Sequence, residues 1–104
     1  MTKNFLITGA SSGLGEQFTK LITDIAKNII IVGRNKSRLY RLKKEILKLN
    51  SKIYVLIIEE DLANNLGANN LIKKFKKQKK IKFVDVLVNS AAKFTVKSIE
   101  NVSL

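Results

Sequence analysis

Short runs of consecutive apolar residues alternate along this chain with longer segments in which apolar residues recur every three or four positions. Runs of the first kind are typical of strands buried on both faces of a sheet, and segments of the second kind are typical of amphipathic helices. The pattern predicts strands at residues 3–8, 28–33, 53–58 and 83–88, and helices at residues 13–27, 38–50 and 64–78. Because strands and helices alternate, we expect an α/β fold with a parallel sheet and helical crossovers.

Each predicted helix carries an apolar stripe that should face the sheet. The stripes are Leu14, Phe18, Leu21 and Ile25 in the first helix, Leu39, Leu42, Ile46 and Leu49 in the second, and Ala68, Leu71, Ile72 and Phe75 in the third. Right-handed crossovers place the strands in the order 3-2-1-4, which is the N-terminal half of a doubly wound parallel sheet. We expect one domain over residues 1–104, with an irregular tail from about residue 93 to residue 104.

A glycine-rich segment joins the first predicted strand to the first helix. Gly9 suits a sharp exit from the strand, Gly13 removes a Cβ where a ligand would approach, and Gly15 lets the helix lie close to the strand. Such a turn presents backbone N–H groups at the positive end of the helix dipole, where phosphate binds. Ser11 and Ser12 are expected to be turn residues that donate hydrogen bonds to a phosphate.

Two other motifs overlap this segment, but the chain lacks a residue that each of them requires. Gly9, Ser11 and Gly13 also fit the Gly-x-Ser-x-Gly nucleophile elbow, but that mechanism needs a general base, usually histidine, and the chain has none. The phosphate-binding P-loop requires Gly-Lys where this chain has Leu14 and Gly15.

Thr8, the three glycines and the Ala-Ser-Ser between them resemble the Thr-Gly-x-x-x-Gly-x-Gly cofactor loop of the short-chain dehydrogenases/reductases. The resemblance implies a Rossmann-like, nucleotide-binding domain of an oxidoreductase that transfers hydride between a nicotinamide and a carbonyl or alcohol. It also implies that the pyrophosphate is held by Gly9, Ser11, Ser12, Gly13, Leu14 and Gly15.

Arg34 decides which dinucleotide we expect. Dinucleotide sites read the adenosine ribose about 20 residues past the glycines, at the end of the second strand. Gly33 and Arg34 occupy that place, and neither offers the carboxylate that binds the 2′-hydroxyl of NAD. An arginine can grip a 2′-phosphate in a bidentate fork, so NADP is favoured over NAD. Arg38, one helical turn later, could add a second contact, although a solvent-exposed role suits it better.

Two further segments resemble parts of the family's cofactor site. Asp61, after the third strand, matches an aspartate that reaches the adenine ring, and a cap on the following helix is an equally good interpretation. Asn89 and Ala91 match the family's Asn-Asn-Ala-Gly loop, which lies near the ribose. This chain departs from that motif at Ser90 and Ala92. Ala92 excludes backbone angles that glycine allows, which weakens the match.

The family's catalytic serine and Tyr-x-x-x-Lys pair lie beyond the fourth strand, and no such segment occurs before Leu104. Tyr40 and Lys44 have the right spacing, but they fall on the helix near the adenosine end. We therefore expect no catalytic residues and no turnover by this chain alone, as in a truncated or split gene product. A separately encoded C-terminal half, or self-association through the bare fourth strand, would complete it.

Composition narrows the alternatives. The absence of cysteine and histidine argues against a cysteine- or histidine-based metal site or nucleophile. No run approaches the roughly 20 apolar residues of a membrane span, and no signal-peptide pattern is present, so we expect a cytoplasmic protein. The net charge of +12 would attract a phosphate-bearing ligand. Nucleic acid is not favoured, because Phe75 in the lysine cluster of residues 73–80 falls on an apolar face. A non-enzymatic nucleotide-binding module and a basic protein that binds anionic partners remain open.

Overall fold

The computed structural model describes residues 3–63 and 65–90 of the chain. Strands and helices alternate as β1 (Lys3–Thr8), α1 (Gly13–Leu21), β2 (Ala26–Gly33), α2 (Lys36–Leu49), β3 (Tyr54–Glu59), α3 (Asn65–Lys77) and β4 (Val86–Asn89). The four strands form one parallel sheet in the order β3-β2-β1-β4. The predicted α/β class and strand order are therefore confirmed.

The sheet separates two hydrophobic cores, because successive side chains of each strand point to opposite faces. On one face Phe5 and Ile7 of β1 pack with Ile29 and Ile31 of β2, beneath α1 and α2. On the other face the alternate residues of the same strands, Leu6, Ile30 and Val32, pack against Leu71 and Phe75 of α3. Burial on both faces is the reason for the unbroken β-branched run in β2.

The predicted apolar stripe of α1 is wrong except at Phe18, which packs against the core. Leu14 is 75% exposed and Leu21 79% exposed, and the helix ends at Leu21 rather than near residue 27. The buried positions are Gly15 and Thr19, followed by Ile22 just beyond the helix. A Cβ at Gly15 would lie 2.9 Å from the Cα of Ala10, so the face of small residues is the one that can approach β1. Leu14 and Leu21 are therefore turned outward.

Smaller differences concern α1, α2 and α3. Ile25, placed on the α1 stripe, lies in the exposed turn before β2. Leu49, the last residue of α2, is 59% exposed, and Leu47 packs against the core instead. In α3 Leu71 and Phe75 are buried as expected, whereas Ile72 is only half-buried.

β4 begins three residues later than predicted, because polar contacts hold the segment before it. The Asn4 side-chain amide donates to the Phe83 carbonyl at 3.0 Å, and the Asp85 carboxylate accepts from the Asn4 backbone N–H at 2.7 Å. Asn28 of β2 donates to the Asn4 side-chain oxygen at 2.8 Å. Ladder pairing with β1 starts only at Val86, opposite Phe5. This network fixes the register of three strands at their N-terminal ends.

β4 lies at one edge of the sheet, and all four of its residues are partly exposed. Within residues 3–63 and 65–90, β1 is the strand that pairs with it. The predicted irregular tail falls outside the described residues. No helix in the described part of the chain is long and apolar enough to cross a membrane.

Candidate cofactor-binding site

The turn after β1 is shaped by two glycines. Gly9 has a φ of +65°, a left-handed conformation that disfavours other residues. A Cβ at Gly9 would also lie 2.7 Å from the Ser90 hydroxyl. A Cβ at Gly15 would lie 3.0 Å from the Gly9 carbonyl carbon and closer still to its oxygen. The backbone can therefore fold back on itself here only without side chains at these two positions.

Ser12 caps the helix that follows. Its hydroxyl donates to the Gly9 carbonyl at 2.7 Å and accepts from the Gly15 N–H at 3.2 Å. The Ser12 N–H donates to the same carbonyl at 3.1 Å. Since the first N–H groups of a helix have no intrahelical partner, the N–H groups of Gly13 and Leu14 are left without a hydrogen bond to the described residues. The Ser12 hydroxyl hydrogen, which we expected to reach a phosphate, is used within the turn.

Gly13 lies open to solvent. No heavy atom stands within 4 Å of the position that its Cβ would occupy. Two available N–H groups, the positive end of α1 and an unobstructed approach over Gly13 together fit a diphosphate. The residues present are thus compatible with a dinucleotide at this turn.

A cleft with a volume of about 300 Å³ opens beside the turn, at the C-terminal ends of the strands. Open parallel sheets bind ligands at this edge, at the point where the strand order reverses. The lining residues come from all four strand ends: Gly9, Ser11, Ser12, Gly33, Arg34, Glu60, Asp61, Leu62, Ala63 and Ser90. Five of the predicted site residues therefore share one cleft: Gly9, Ser11, Ser12, Arg34 and Asp61. Gly13, Leu14, Gly15 and Asn89 do not line it, and Ala91 lies outside the described residues.

Two arginines near the cleft differ in their partners. Arg34 is exposed and, among the described residues, has no hydrogen bond or ion pair. Arg38 lies 3.4 Å from the Glu16 carboxylate, which joins α2 to α1. Its backbone N–H is held by the Asn35 side chain, the cap of α2. Arg34 is thus the arginine available to an anion.

Asp61 and the loop after β4 are both tied into the structure. The Asp61 side chain accepts a hydrogen bond from the Ala63 N–H at 2.9 Å, so it stabilises the turn before α3. Thr8, fully buried at the end of β1, donates to the Asn89 side-chain oxygen at 3.0 Å. The Ser90 hydroxyl donates to the Thr8 carbonyl. The loop after β4 is therefore anchored at the base of the glycine turn.

Glu60 was not among the predicted site residues, yet it lines the cleft. Its N–H donates to the Gly33 carbonyl at 2.9 Å, which extends the β2–β3 ladder past the end of β3. Its carboxylate lies 2.8 Å from the Lys74 ammonium of α3. The predicted strand order was the signal that could have found it, since the ends of strands 2 and 3 lie side by side.

Other candidate residues lie away from the cleft. Tyr40 is half-exposed on α2, with the Lys36 ammonium 6.0 Å from the centre of its ring. Phe75 in the lysine cluster is buried, and the Lys80 ammonium lies 4.3 Å from the centre of the Tyr54 ring. Among the described residues, no group of three or more histidine, cysteine, aspartate or glutamate side chains could hold a metal ion.

The family model described as short chain dehydrogenase matches residues 3–104. The chain belongs to this family. Among curated short-chain dehydrogenase relatives, a probable 2,4-dienoyl-CoA reductase of Bacillus subtilis is 31% identical over 90 residues, which cover 86% of this chain and 34% of that protein. The 3-oxoacyl-(acyl-carrier-protein) reductase FabG of Rickettsia typhi is 38% identical over 89 residues, which cover 86% of this chain and 32% of that protein.

Solved structures of the short-chain dehydrogenases share the fold. YwfH, an NADPH-dependent reductase involved in bacilysin biosynthesis, superposes with a TM-score of 0.74 at 22% identity, over 84% of this chain and 34% of its own. A short-chain dehydrogenase from Sphingobium yanoikuyae in complex with NADPH superposes with a TM-score of 0.67 at 23% identity, over 83% of this chain and 32% of its own. The chain spans about a third of the length of these relatives.

Proposed function

We propose that this chain is the cofactor-binding portion of an NADP-dependent short-chain oxidoreductase. The parent reaction is hydride transfer between the nicotinamide of the cofactor and a carbonyl or alcohol. In this proposal the turn over Gly13 receives the diphosphate, Arg34 the 2′-phosphate and Asp61 the adenine, while Asn89 and Ala91 lie near the ribose. Family membership supports the oxidoreductase class, and the free N–H groups of the turn support the diphosphate.

The choice of NADP over NAD rests on the guanidinium of Arg34. This group has no partner among the described residues, and it stands at the rim of the cleft directly after Gly33. A 2′-phosphate would offer it a bidentate, charge-assisted pair, whereas the 2′-hydroxyl of NAD would not. The fold shared with an NADPH-dependent reductase and with a dehydrogenase bound to NADPH agrees with this choice.

We further propose that residues 1–104 bind the cofactor without turning it over. The spacing Tyr-x-x-x-Lys occurs at Tyr40 and Lys44, and Tyr40 does not line the cleft. A second polypeptide carrying the substrate half, or a second copy docked along β4, would complete the sheet. A cytoplasmic location stays a prediction from the sequence.

The test compares Arg34→Gln with Arg41→Gln, which removes the same charge from an exposed position on α2. Loss of a charged phosphate contact should weaken NADPH binding about tenfold or more, and leave NADH binding within about twofold. Arg41→Gln should leave both affinities near those of the unaltered chain. Equal loss in the two variants, or tighter binding of NADH than NADPH by the unaltered chain, would contradict the proposal.

Exchanging Gly33 for aspartate, the obvious switch towards NAD, is a poorer experiment on this backbone. A Cβ at Gly33 would lie 2.6 Å from the Ser11 hydroxyl and 3.3 Å from a methyl of Leu39. A change in affinity would therefore mix charge with displacement of the glycine turn. Gly33→Ala, which adds the Cβ alone, is the control that separates the two.

The two alternative functions predict different binding profiles. A basic protein that binds anionic partners would retain duplex DNA at physiological salt and show no preference for NADPH. A non-enzymatic module would bind NADPH and stay inactive on carbonyl substrates even when a second polypeptide carrying a substrate half is added. The paired state of Lys74 and the burial of Phe75 both weigh against a nucleic-acid surface on α3.

A further inference from the structure

Two carboxylates line the cleft, Glu60 and Asp61, and Glu60 is the one at the strand end next to Arg34. Gly33 pairs with Glu59 in the ladder, and the Glu60 N–H donates to the Gly33 carbonyl, so Glu60 and Arg34 follow on neighbouring strand ends. Neighbouring strands lie about 4.8 Å apart, which is within reach of an arginine and a glutamate side chain. The two groups nevertheless form no ion pair in the described structure.

Lys74 accounts for the missing pair. Its ammonium reaches back from α3 and lies 2.8 Å from the Glu60 carboxylate. The same nitrogen donates to the Glu59 carbonyl at 3.0 Å. The Glu60 side chain is only 15% exposed, whereas that of Lys74 is 48% exposed. The Lys74 ammonium therefore holds both a mostly buried carboxylate and the end of β3.

We infer that Lys74 is a positioning residue that determines cofactor specificity by keeping Glu60 away from Arg34. When Lys74 holds Glu60, Arg34 is free to bind the 2′-phosphate. Arg34, Lys74 and Glu60 together carry one net positive charge. Without Lys74, the carboxylate would compete for Arg34 and place an uncompensated negative charge in the cleft. A 2′-phosphate would be repelled, and a 2′-hydroxyl would be little affected.

This inference rests on the proposed NADP site, and its test separates the two. The variants are Lys74→Met, Glu60→Gln, the double variant, and Lys73→Met as a control that removes the same charge from the adjacent residue of α3. Affinities for NADPH and NADH are measured by titration at physiological salt, with far-ultraviolet circular dichroism to verify that each variant is folded.

Lys74→Met should weaken NADPH binding about three- to tenfold, the scale of a partly exposed charge interaction, and change NADH binding less than about twofold. The double variant should return to within about twofold of the unaltered chain, because the carboxylate charge is gone. Lys74→Arg should retain the preference for NADPH.

Three outcomes would overturn the inference. Equal losses in Lys74→Met and Lys73→Met would mean that only the net charge matters. Parallel losses of NADPH and NADH would mean that Lys74 merely supports the loop. A double variant as weak as Lys74→Met would mean that Glu60 is not the competitor. If Arg34→Gln binds NADPH as tightly as the unaltered chain, the proposed NADP site is wrong, and this inference, which rests on that site, is wrong as well.

Discussion

Replacing Gly15 with alanine is the sharpest test of how α1 meets β1. The added Cβ would lie 2.9 Å from the Ala10 Cα and 3.0 Å from the Gly9 carbonyl carbon, where ordinary carbon contacts need about 3.5 Å or more. Both neighbours are backbone atoms, so no side-chain rotation can relieve the contact and the helix must shift. Overpacking of this kind costs about 1–3 kcal/mol, and here we expect the upper end of that range.

Gly13→Ala is the matched control two residues earlier. Nothing lies within 4 Å of its Cβ position, and alanine favours helix over glycine by up to about 1 kcal/mol. The same propensity gain partly offsets the clash at Gly15, which leaves a net destabilisation of about 2 kcal/mol for Gly15→Ala. The two variants should therefore differ by about 3 kcal/mol in free energy of unfolding.

The free energies are measured by urea unfolding followed by circular dichroism, and each variant is then titrated with NADPH. Gly13→Ala should be up to about 1 kcal/mol more stable than the unaltered chain yet bind NADPH more weakly, because its methyl group stands where the diphosphate approaches. A Gly15→Ala variant as stable as Gly13→Ala would refute the close helix–strand contact. Unchanged NADPH binding by Gly13→Ala would mean that the diphosphate does not lie over that residue.

Substitutions at three further positions test the fold. Asp85→Ala removes the acceptor that holds the Asn4 N–H and should cost about 1–2 kcal/mol by urea unfolding, whereas Asp85→Asn, which keeps an oxygen there, should cost less. Leu21→Lys, at a 79% exposed position, should change the free energy of unfolding by less than about 0.5 kcal/mol in the same assay; a loss of several kcal/mol would mean that Leu21 faces the core. Gly67→Ala would place a Cβ 2.7 Å from the Asp61 carbonyl carbon, so it should lower both thermal stability and NADPH affinity; an unchanged melting temperature would contradict the contact.

The sheet and the glycine turn were predictable because their signals are local. An unbroken β-branched run predicts a strand covered on both faces, and strands alternating with helices leave few possible topologies. The spacing of Gly9, Gly13 and Gly15 likewise describes a turn without reference to the rest of the chain. The prediction failed for the buried face of α1, which depends on contacts with another element. The face with Gly15 and Thr19 is buried, and most of the apolar stripe is not, because the small residues allow α1 to approach β1 more closely.

The candidate site divides in the same way. Arg34 and Asp61 could be found by counting along the chain from the glycines. Counting along the chain could not show the importance of Ser90 and Glu60, because that importance comes from their contacts with Thr8 and Lys74, which the strand order creates. Glycine turns can be read from sequence, whereas the partners of a polar side chain depend on the assembled sheet.

The net charge of the sequence likewise does not show which cations are free to bind a ligand. A net charge of +12 suggests a surface that attracts any anion. In the folded chain, Arg38 is paired with Glu16, and Lys74 is paired with Glu60. Arg34 is the cation that lines the cleft without a partner in the described residues. Selectivity for a 2′-phosphate would therefore depend less on the excess of lysine than on how the few carboxylates are distributed among the cations around the cleft.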